Sequence, residues 1–162
     1  MPSLKPATES DFATIGNLAR VIWDLHYVPI IGTGQVKYML TKMYSPEAIA
    51  KQIKEGQKFY LVLNEEEETG FISVSTEDNK NYFLHKFYIL QGKQNTGLGT
   101  KIFKQVFEDL YKPESIRLTV NRQNYKSVNF YFKLGFKIEK VADFDIGNGY
   151  FMNDFVMLWQ KN

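Results

Sequence analysis

The residues best placed for chemistry form a short polar loop with two glycines, Gln94-Asn95-Thr96-Gly97-Leu98-Gly99-Thr100. Before it, residues 82–90 are rich in aromatic and branched side chains, which is typical of a buried strand. After it, the apolar residues of 98–110 recur at steps of three and four, which predicts an amphipathic helix. A strand that enters a glycine loop at a helix N-terminus directs several backbone N–H groups at one point. Phosphates bind at such points, so the loop predicts an anion site.

Two common phosphate-binding loops do not fit this order of residues. A Walker loop requires Gly-Lys-Ser/Thr, whereas the chain reads Gly-Thr-Lys from Gly99 to Lys101. A dinucleotide-binding loop requires a third glycine at the position of Ile102. The loop does match Gln/Arg-x-x-Gly-x-Gly/Ala, and in this it resembles the pyrophosphate loop of the GNAT (Gcn5-related) N-acetyltransferases. A tight strand-to-helix turn without a ligand is the alternative interpretation.

The resemblance continues at fixed spacing on both sides of the loop. Upstream, LHKFYI (residues 84–89) resembles the family's Leu-x-x-Leu-x-Val strand. Downstream, NRQNYKSVNFYFKLGF (residues 121–136) is similar to the family's motif Asn-x-x-Asn-x-x-Ala-x-x-Phe-Tyr-x-x-x-Gly-Phe. The segments 38–40 and 44–47 also resemble a bacterial branch of the family that includes polyamine acetyltransferase-like proteins.

The resemblance implies a mixed α+β fold. Its sheet would be mostly antiparallel and twisted, with about six or seven strands, splayed between strands 4 and 5 and flanked by helices. A chain of 162 residues with 44% hydrophobic side chains is the size of one globular domain, so residues 1–162 are expected to form a single domain. Helices are predicted after the capping-box sequence at 8–11, over 35–43, and from 46 to 54 behind the cap Ser45. Strands are predicted over 58–63, 70–75, 82–90, 115–120, 136–144 and 150–159.

The cosubstrate that the resemblance implies is acetyl-CoA. Its pyrophosphate would be held by backbone N–H groups of the glycine loop, residues 94–100. Its pantetheine arm would pair with strand backbone exposed by the splay, with the thioester near Ile89, whose N–H is a candidate oxyanion donor. The other residues that the resemblance assigns to coenzyme A binding are Phe87, Tyr88, Asn121, Asn124, Lys126 and Ser127.

Two side chains are candidates for proton transfer. Tyr131 occupies the family's Phe-Tyr position, where the tyrosine serves as general acid for the departing thiolate. An ordinary tyrosine pKa of about 10 keeps it protonated for this task. His85 matches the histidine of a Leu-His-x-Leu-x-Val strand in arylalkylamine acetyltransferases, where a histidine serves as base. Strand alternation predicts that His85 shares a face with Phe87 and Ile89; a strand histidine without a chemical role is the alternative.

The acceptor is expected to be a small amine, such as a polyamine, or a peptide N-terminus or lysine. Its binding residues are expected in the segment 23–44, where the family diversifies, with Asp24 or Asp154 balancing the charge of the amine. The candidate pocket residues are Trp23, His26, Tyr27, Tyr38, Tyr44 and Asp154. Without cysteine the chain has no thiol for an acetyl-enzyme, which favours direct transfer in a ternary complex.

Composition excludes several other classes of protein. The absence of cysteine and the presence of only two histidines argue against disulfides and a multi-histidine metal site. A net charge of +2 with scattered lysines argues against nucleic acid as the main ligand. No segment has the apolar length of a signal peptide or membrane span, so we expect a cytoplasmic protein without a membrane partner. A homodimer is plausible from the habit of the family.

Two competing hypotheses use the same fold. One is a non-catalytic acyl-CoA-binding or regulatory module, against which the presence of Tyr131 and a candidate base argues. The other is a structural or protein-interaction domain with no ligand. These hypotheses differ in whether coenzyme A binds and whether its thiol is released over a panel of amines.

Overall fold

A computed structural model describes residues 2–90, 92 and 97–162. The predicted loop residues Gln94, Asn95 and Thr96 lie outside the described residues. The helices are α1 Phe12–His26, α2 Val28–Tyr44, α3 Pro46–Lys54, α4 Leu98–Lys104 and α5 Tyr125–Lys133. The strands are β1 Pro2–Pro6, β2 Lys58–Asn64, β3 Glu67–Thr76, β4 Asn81–Ile89, β5 Ser115–Asn121, β6 Lys137–Gly147 and β7 Tyr150–Gln160. A 3-10 turn, Glu9–Asp11, precedes α1, and a π-helical segment, Gln105–Tyr111, continues α4.

The strands form one seven-stranded sheet in the order β1-β2-β3-β4-β5-β7-β6. All neighbouring strands are antiparallel except β4 and β5, which are parallel. This architecture, with helices on both faces, confirms the predicted fold class. β4 and β5 pair only from Asn81↔Ser115 to Leu84↔Leu118, although the strands continue to Ile89 and Asn121. The sheet therefore parts between these two strands at their carboxyl ends.

Each face of the sheet carries its own hydrophobic cluster. On one face, α4 and α5 pack through Ile102, Phe103 and Val128 against strand residues such as Leu118. On the other face, α1, α2 and α3 pack over Leu61 and Phe71. The sheet is buried on both sides, and the gap between β4 and β5 lies where the two clusters meet.

Local sequence signals account for the helix boundaries. Thr8 and Asp11 form the predicted capping box, with the Thr8 N–H donating to Asp11 Oδ2 at 2.9 Å. Ser45 caps α3 by accepting from the backbone of Ala48 at 3.2 Å. The predicted break before residue 35 occurs within α2 at Gly32, whose φ of 86° lies outside the helical region. In the described residues, no helix is long and apolar enough to cross a membrane.

A β-bulge in β4 changes the direction of its side chains. Ser73 pairs with Lys86 and Val74 with Leu84, so His85 is an extra residue opposite β3. Before the bulge Leu84 faces the α4–α5 side, and after it Phe87 does. Simple alternation had placed His85 on the face of Phe87 and Ile89, and that prediction is wrong because the bulge shifts the alternation by one residue.

Candidate active site

A cavity of about 260 Å³ lies beside the parted strands, between β4 and the helices α1, α4 and α5. Its walls combine the end of β4, the glycines at the start of α4 and one side of α5. The lining residues are Ile22, His26, Phe87, Tyr88, Ile89, Gly97, Gly99, Thr100, Asn124, Lys126, Ser127, Phe130, Tyr131 and Lys133. The lining therefore combines polar and basic residues with aromatic and apolar ones. We refer to this space as the cofactor cavity.

The two loop glycines are required for different physical reasons. Gly97 has a φ of 77°, in the left-handed region, and a Cβ added there would meet nothing within 4 Å. Glycine is therefore required at this position because it adopts this backbone conformation readily. A Cβ on Gly99 would instead lie 3.3 Å from two ring atoms of Phe130, so this glycine allows α4 to approach α5 closely. Leu98, between them, is buried in the hydrophobic cluster under α4.

Asn124 joins α5 to α1 at the edge of the cofactor cavity. Its Oδ1 accepts from the Ser127 backbone at 3.3 Å, which caps α5. The same atom lies 3.0 Å from His26 Nε2, and Nδ2 donates to the Tyr27 hydroxyl at 3.1 Å. Asn124 is only 3% exposed, so its side chain is held by protein contacts on both helices. These hydrogen bonds hold the side chain of Asn124 in the wall of the cofactor cavity.

Tyr131 lies on the cavity side of α5, four residues after Ser127. It is 8% exposed and packs edge-on against Phe130 and Phe136. Burial, and to a smaller extent the neighbouring Tyr27, raises the pKa of its phenol above the ordinary value. Tyr131 therefore remains protonated throughout the physiological pH range and can act as a proton donor.

A second, smaller cavity of about 70 Å³ lies on the α1–α2 side of the sheet and borders the first at Tyr88. Its walls come from α1, α2 and the strands β4, β5 and β7. The lining residues are Trp23, Tyr27, Ile31, Gln35, Met39, Met43, His85, Tyr88, Thr119, Val120, Asn121, Met152 and Asp154. We refer to this space as the acceptor cavity. The two cavities thus adjoin beside the parted strands.

His85 reaches the acceptor cavity because of the bulge in β4. Its Nε2 lies 2.6 Å from Ser75 Oγ on β3, and its ring stacks near Phe83 at 4.7 Å. Burial, followed by the nearby Lys86 ammonium, lowers the pKa of His85 to about 4. His85 is therefore neutral at pH 7, with one ring nitrogen engaged by Ser75.

Asp154 also lines the acceptor cavity, on β7 and paired with Asn121 of β5. It is 2% exposed, and within the described part of the chain its Oδ2 has no hydrogen-bond partner. Burial raises the pKa of Asp154 to about 6, against the lowering effects of Arg122 and a hydrogen bond from Thr119. A buried carboxylate with a free oxygen is unusual, because burial without a partner destabilises the charged form.

A family profile matches most of the chain. The profile of the acetyltransferase (GNAT) domain matches residues 29–145, more than half of the 162 residues. The chain belongs to the GNAT acetyltransferase family. This confirms the resemblance carried by the glycine loop and the two flanking motifs.

Individual relatives agree with this assignment. The chain is 34% identical over 81 residues to a spermine/spermidine N(1)-acetyltransferase of Bacillus subtilis, covering 47% of this chain and 53% of that protein. It is 31% identical over 91 residues to an uncharacterized N-acetyltransferase of Mycobacterium bovis, covering 55% and 58%. The matches thus span little more than half the length of these relatives. The solved structure of the PaiA N-acetyltransferase from Thermoplasma acidophilum in complex with coenzyme A has the same fold, with a TM-score of 0.82 over 99% of both chains at 22% identity.

Most of the GNAT residues predicted for coenzyme A line the cofactor cavity. The exceptions among the described residues are Leu98, which is in the core, and Asn121, which lines the acceptor cavity. Asn121 lies there because it ends β5 on the far side of the gap, where it also accepts from the Gln123 backbone at 2.9 Å.

The residues predicted for the acceptor fall into three groups: those in the acceptor cavity, one in the cofactor cavity and two in neither cavity. Trp23, Tyr27 and Asp154 line the acceptor cavity, whereas His26 lines the cofactor cavity. Tyr44 is packed in the core against Phe71 and Trp23. Tyr38 donates to the Ile146 carbonyl at 2.7 Å and so attaches α2 to the β6–β7 hairpin. Both tyrosines lie outside the two cavities because they occupy other sides of α2.

Sequence reasoning missed the α2 wall of this GNAT acceptor cavity. The wall consists of side chains at steps of four, namely Ile31, Gln35, Met39 and Met43. That spacing places Gln35, Met39 and Met43 in one row on the helix after the break at Gly32, with Ile31 just before the break, and it was readable from the sequence. The row was obscured by the glycines at 32 and 34, which favour a loop in this segment. The described residues contain no cluster of three or more His, Cys, Asp or Glu that could hold a metal ion.

Proposed function

We propose that this GNAT protein is an N-acetyltransferase that transfers the acetyl group of acetyl-CoA directly to a small primary amine in a ternary complex. The observation that carries the proposal is the pair of adjoining cavities beside the parted strands, which share Tyr88 as a common wall. An acetyl donor in one cavity and an amine in the other would meet at the gap between β4 and β5. Enzymes of this family use acetyl-CoA as their cosubstrate.

The shape and chemistry of the cofactor cavity fit coenzyme A. The molecule has a charged pyrophosphate at one end and an uncharged arm that carries the thioester at the other. Gly97, Gly99 and Thr100 line the cavity where α4 begins, and Lys126 and Lys133 line it as well. Phe87, Ile89 and the aromatic residues of α5, among them Tyr131, provide its apolar surface. The bound cosubstrate would supply an activated acetyl thioester, and the residues would orient it.

Tyr131 is the proposed general acid. Its raised pKa keeps the phenol protonated. It lines the cavity in which the thioester would lie, so it could donate a proton to the departing thiolate, whose conjugate acid has a pKa of about 8.5. His85 is proposed to orient the acceptor or a bridging water, because its pKa of about 4 makes it a weak base at pH 7. A primary amine has a pKa near about 10, so exposing its lone pair at pH 7 costs about 4 kcal/mol, and a proton acceptor near the acceptor cavity would help.

The proposed class of acceptor rests on family membership and on the small volume of the second cavity. The Bacillus subtilis relative is a spermine/spermidine N(1)-acetyltransferase, which supports a small amine in preference to a peptide. A cavity of about 70 Å³ admits the end of a slender molecule. A lysine of a peptide could accept the acetyl group in the same way only by inserting its side chain into this cavity.

Isothermal titration calorimetry with coenzyme A, followed by a thiol-release assay with acetyl-CoA and a panel of amines, tests this proposal. We expect binding and amine-dependent thiol release. Binding without release for any amine would favour the non-catalytic acyl-CoA module instead. Absence of coenzyme A binding by the folded protein would refute the proposal.

A further inference from the structure

The acceptor cavity has an electrostatic feature that distinguishes one class of amine from another. Among the described residues that line it, Asp154 is the one that carries a carboxylate. The rest of the wall consists of aromatic, aliphatic, methionine, amide and hydroxyl side chains and one neutral histidine. The cavity therefore offers compensation for a single positive charge.

No described side chain forms an ion pair with Asp154, although the charge of Arg122 and a hydrogen bond from Thr119 partly stabilise its ionised form. The nearest cation is Arg122, whose guanidinium donates at 3.3 Å to the backbone carbonyl of Asp154 and pairs through its other nitrogen with Asp143 at 2.9 Å. Across the cavity, His85 is neutral at pH 7, and the phenol of Tyr27 has a pKa raised by burial. Asp143 adds a further negative charge nearby. Above pH 6 the carboxylate thus remains ionised without an ion-pair partner of its own.

Aromatic rings complete the surroundings of this carboxylate. Trp23 lies with its ring centroid 4.7 Å from that of Tyr27 and 5.9 Å from that of Tyr88, and all three side chains line the cavity. Ring faces attract ammonium groups, and the attraction is strongest away from water. A carboxylate and a group of aromatic rings around one small space are the elements of a site for an organic cation.

We propose, on the basis of the proposed acetyltransferase function, that Asp154 receives the ammonium group of the acceptor and that the acceptor is a monoamine on an uncharged, unbranched arm. The volume of about 70 Å³ corresponds to roughly two waters at about 30 Å³ each, and so to a short arm. Besides Asp154, no described residue that lines the cavity offers a carboxylate to the second ammonium of a polyamine. Burying an uncompensated charge there is unfavourable.

Binding measurements separate this proposal from the acetyltransferase function itself. With coenzyme A present, calorimetry measures the affinity of wild type, Asp154→Asn and the control Asp109→Asn for n-butylamine, n-butanol and spermidine. Asp109 is an exposed carboxylate that lines neither cavity. We expect Asp154→Asn to lose about 30-fold or more in butylamine affinity, with coenzyme A affinity unchanged and Asp109→Asn equal to wild type. Butanol, which has no charge, should bind weakly and equally to all three proteins.

Turnover provides the second measurement. We expect kcat/KM of the wild type to be at least about tenfold higher for butylamine than for spermidine, and Asp154→Asn to raise the butylamine KM. Preference for spermidine, equal amine affinity in Asp154→Asn and wild type, or no binding of any amine would each overturn the inference. Loss of coenzyme A binding in the wild type would instead refute the proposed function. A thermal unfolding curve for each variant confirms that it is folded.

Discussion

Tyr131 and Asp154 are both buried beside the parted strands, and burial favours the protonated form of each. For Tyr131 the result is a phenol that stays protonated and can serve as an acid. For Asp154 the result is a carboxyl whose pKa of about 6 is much closer to neutrality than that of an exposed aspartate. The same physical effect thus keeps Tyr131 able to give a proton and makes the charge of Asp154 depend on pH near 6.

Replacement of Tyr131 by phenylalanine should lower kcat by about 100-fold with little change in the KM for acetyl-CoA, because the ring packing is kept and only the acidic proton is lost. Steady-state kinetics with saturating amine measure both constants. Tyr125→Phe is the matched control, since Tyr125 is on the same helix and 71% exposed. A rise in KM with kcat unchanged would contradict the acid role and indicate a binding role.

The amine KM should be constant above about pH 6 and should rise as the pH falls through that value, because protonation removes the charge of Asp154. The change should be absent in Asp154→Asn. The measurement is the KM of n-butylamine at saturating acetyl-CoA between pH 5 and 8. This range extends about one pH unit or more to each side of the pKa of Asp154. Of the groups around Asp154, His85 has a pKa lowered to about 4 and Tyr27 has a pKa raised by burial, so neither titrates near pH 6; Arg122 and Asp143 also lie near it.

Stability provides an independent check on the same carboxyl. Its folded pKa is raised above the unfolded value, so protonation favours the folded state, and the free energy of unfolding should fall as the pH rises from about 4 to about 6. Above pH 6 Asp154→Asn should be more stable than wild type, on the order of 2 kcal/mol. A less stable Asp154→Asn variant would show that the carboxylate has a structural partner.

At the scale of elements, the site depends on the bulge in strand β4 and on the two glycines at which helix α4 begins. The bulge at His85 turns this side chain toward the acceptor cavity while Phe87 and Ile89 face the cofactor cavity. One strand thereby supplies residues to both cavities. The left-handed conformation of Gly97 and the close contact of Gly99 with Phe130 then set the entry of α4.

Substitutions at Gly97 distinguish a backbone requirement from a steric one. Gly97→Val should weaken coenzyme A binding by about tenfold, because a branched residue avoids the left-handed region that a φ of 77° requires. Gly97→Asn should bind within about threefold of wild type, since asparagine tolerates that region and a Cβ meets nothing within 4 Å. Calorimetry with coenzyme A measures both. Equal affinities for the two variants would mean that the conformation at this residue is not needed for binding.

At the scale of the whole molecule, one buried lysine makes stability depend on pH. Lys86 is 3% exposed, donates to Gln52 Oε1 at 2.6 Å and Gln57 Oε1 at 3.1 Å, and lies over the ring of Phe59. Burial lowers its pKa to about 8, so the unfolded chain binds a proton more tightly than the folded protein does. The free energy of unfolding should therefore rise with pH above about 8.

Urea unfolding at pH 7.5 and 9.5 measures this rise, which we expect to be on the order of 1–2 kcal/mol. The range stops below about pH 10 because tyrosines begin to ionise in the unfolded chain there, which acts in the opposite direction. Lys86→Met keeps the length of the side chain and should remove the rise. An unchanged pH dependence in that variant would assign the effect to another group.

The local features of the chain were predictable because their causes are local. Capping by Thr8, Ser45 and Asn124 depends on a few neighbouring residues, and the buried character of β4 follows from its composition. The parting of β4 and β5 was expected only through the family motifs, since hydrophobic periodicity carries no information about which strands pair. The bulge at His85 was missed, because an extra residue in a strand changes facing without changing composition.

By itself, the sequence determined the family, the order of the elements and the glycine loop with Tyr131 behind it, since spacing along one chain encodes these. Only the tertiary structure decided which of the candidate residues share a cavity. It places Asp154 of the last strand and His85 of the fourth strand in one cavity, and it places Tyr38 and Tyr44 outside that cavity. The reason is that these contacts join residues far apart in the chain. Their proximity depends on strand order, on the bulge and on which face of each helix is buried.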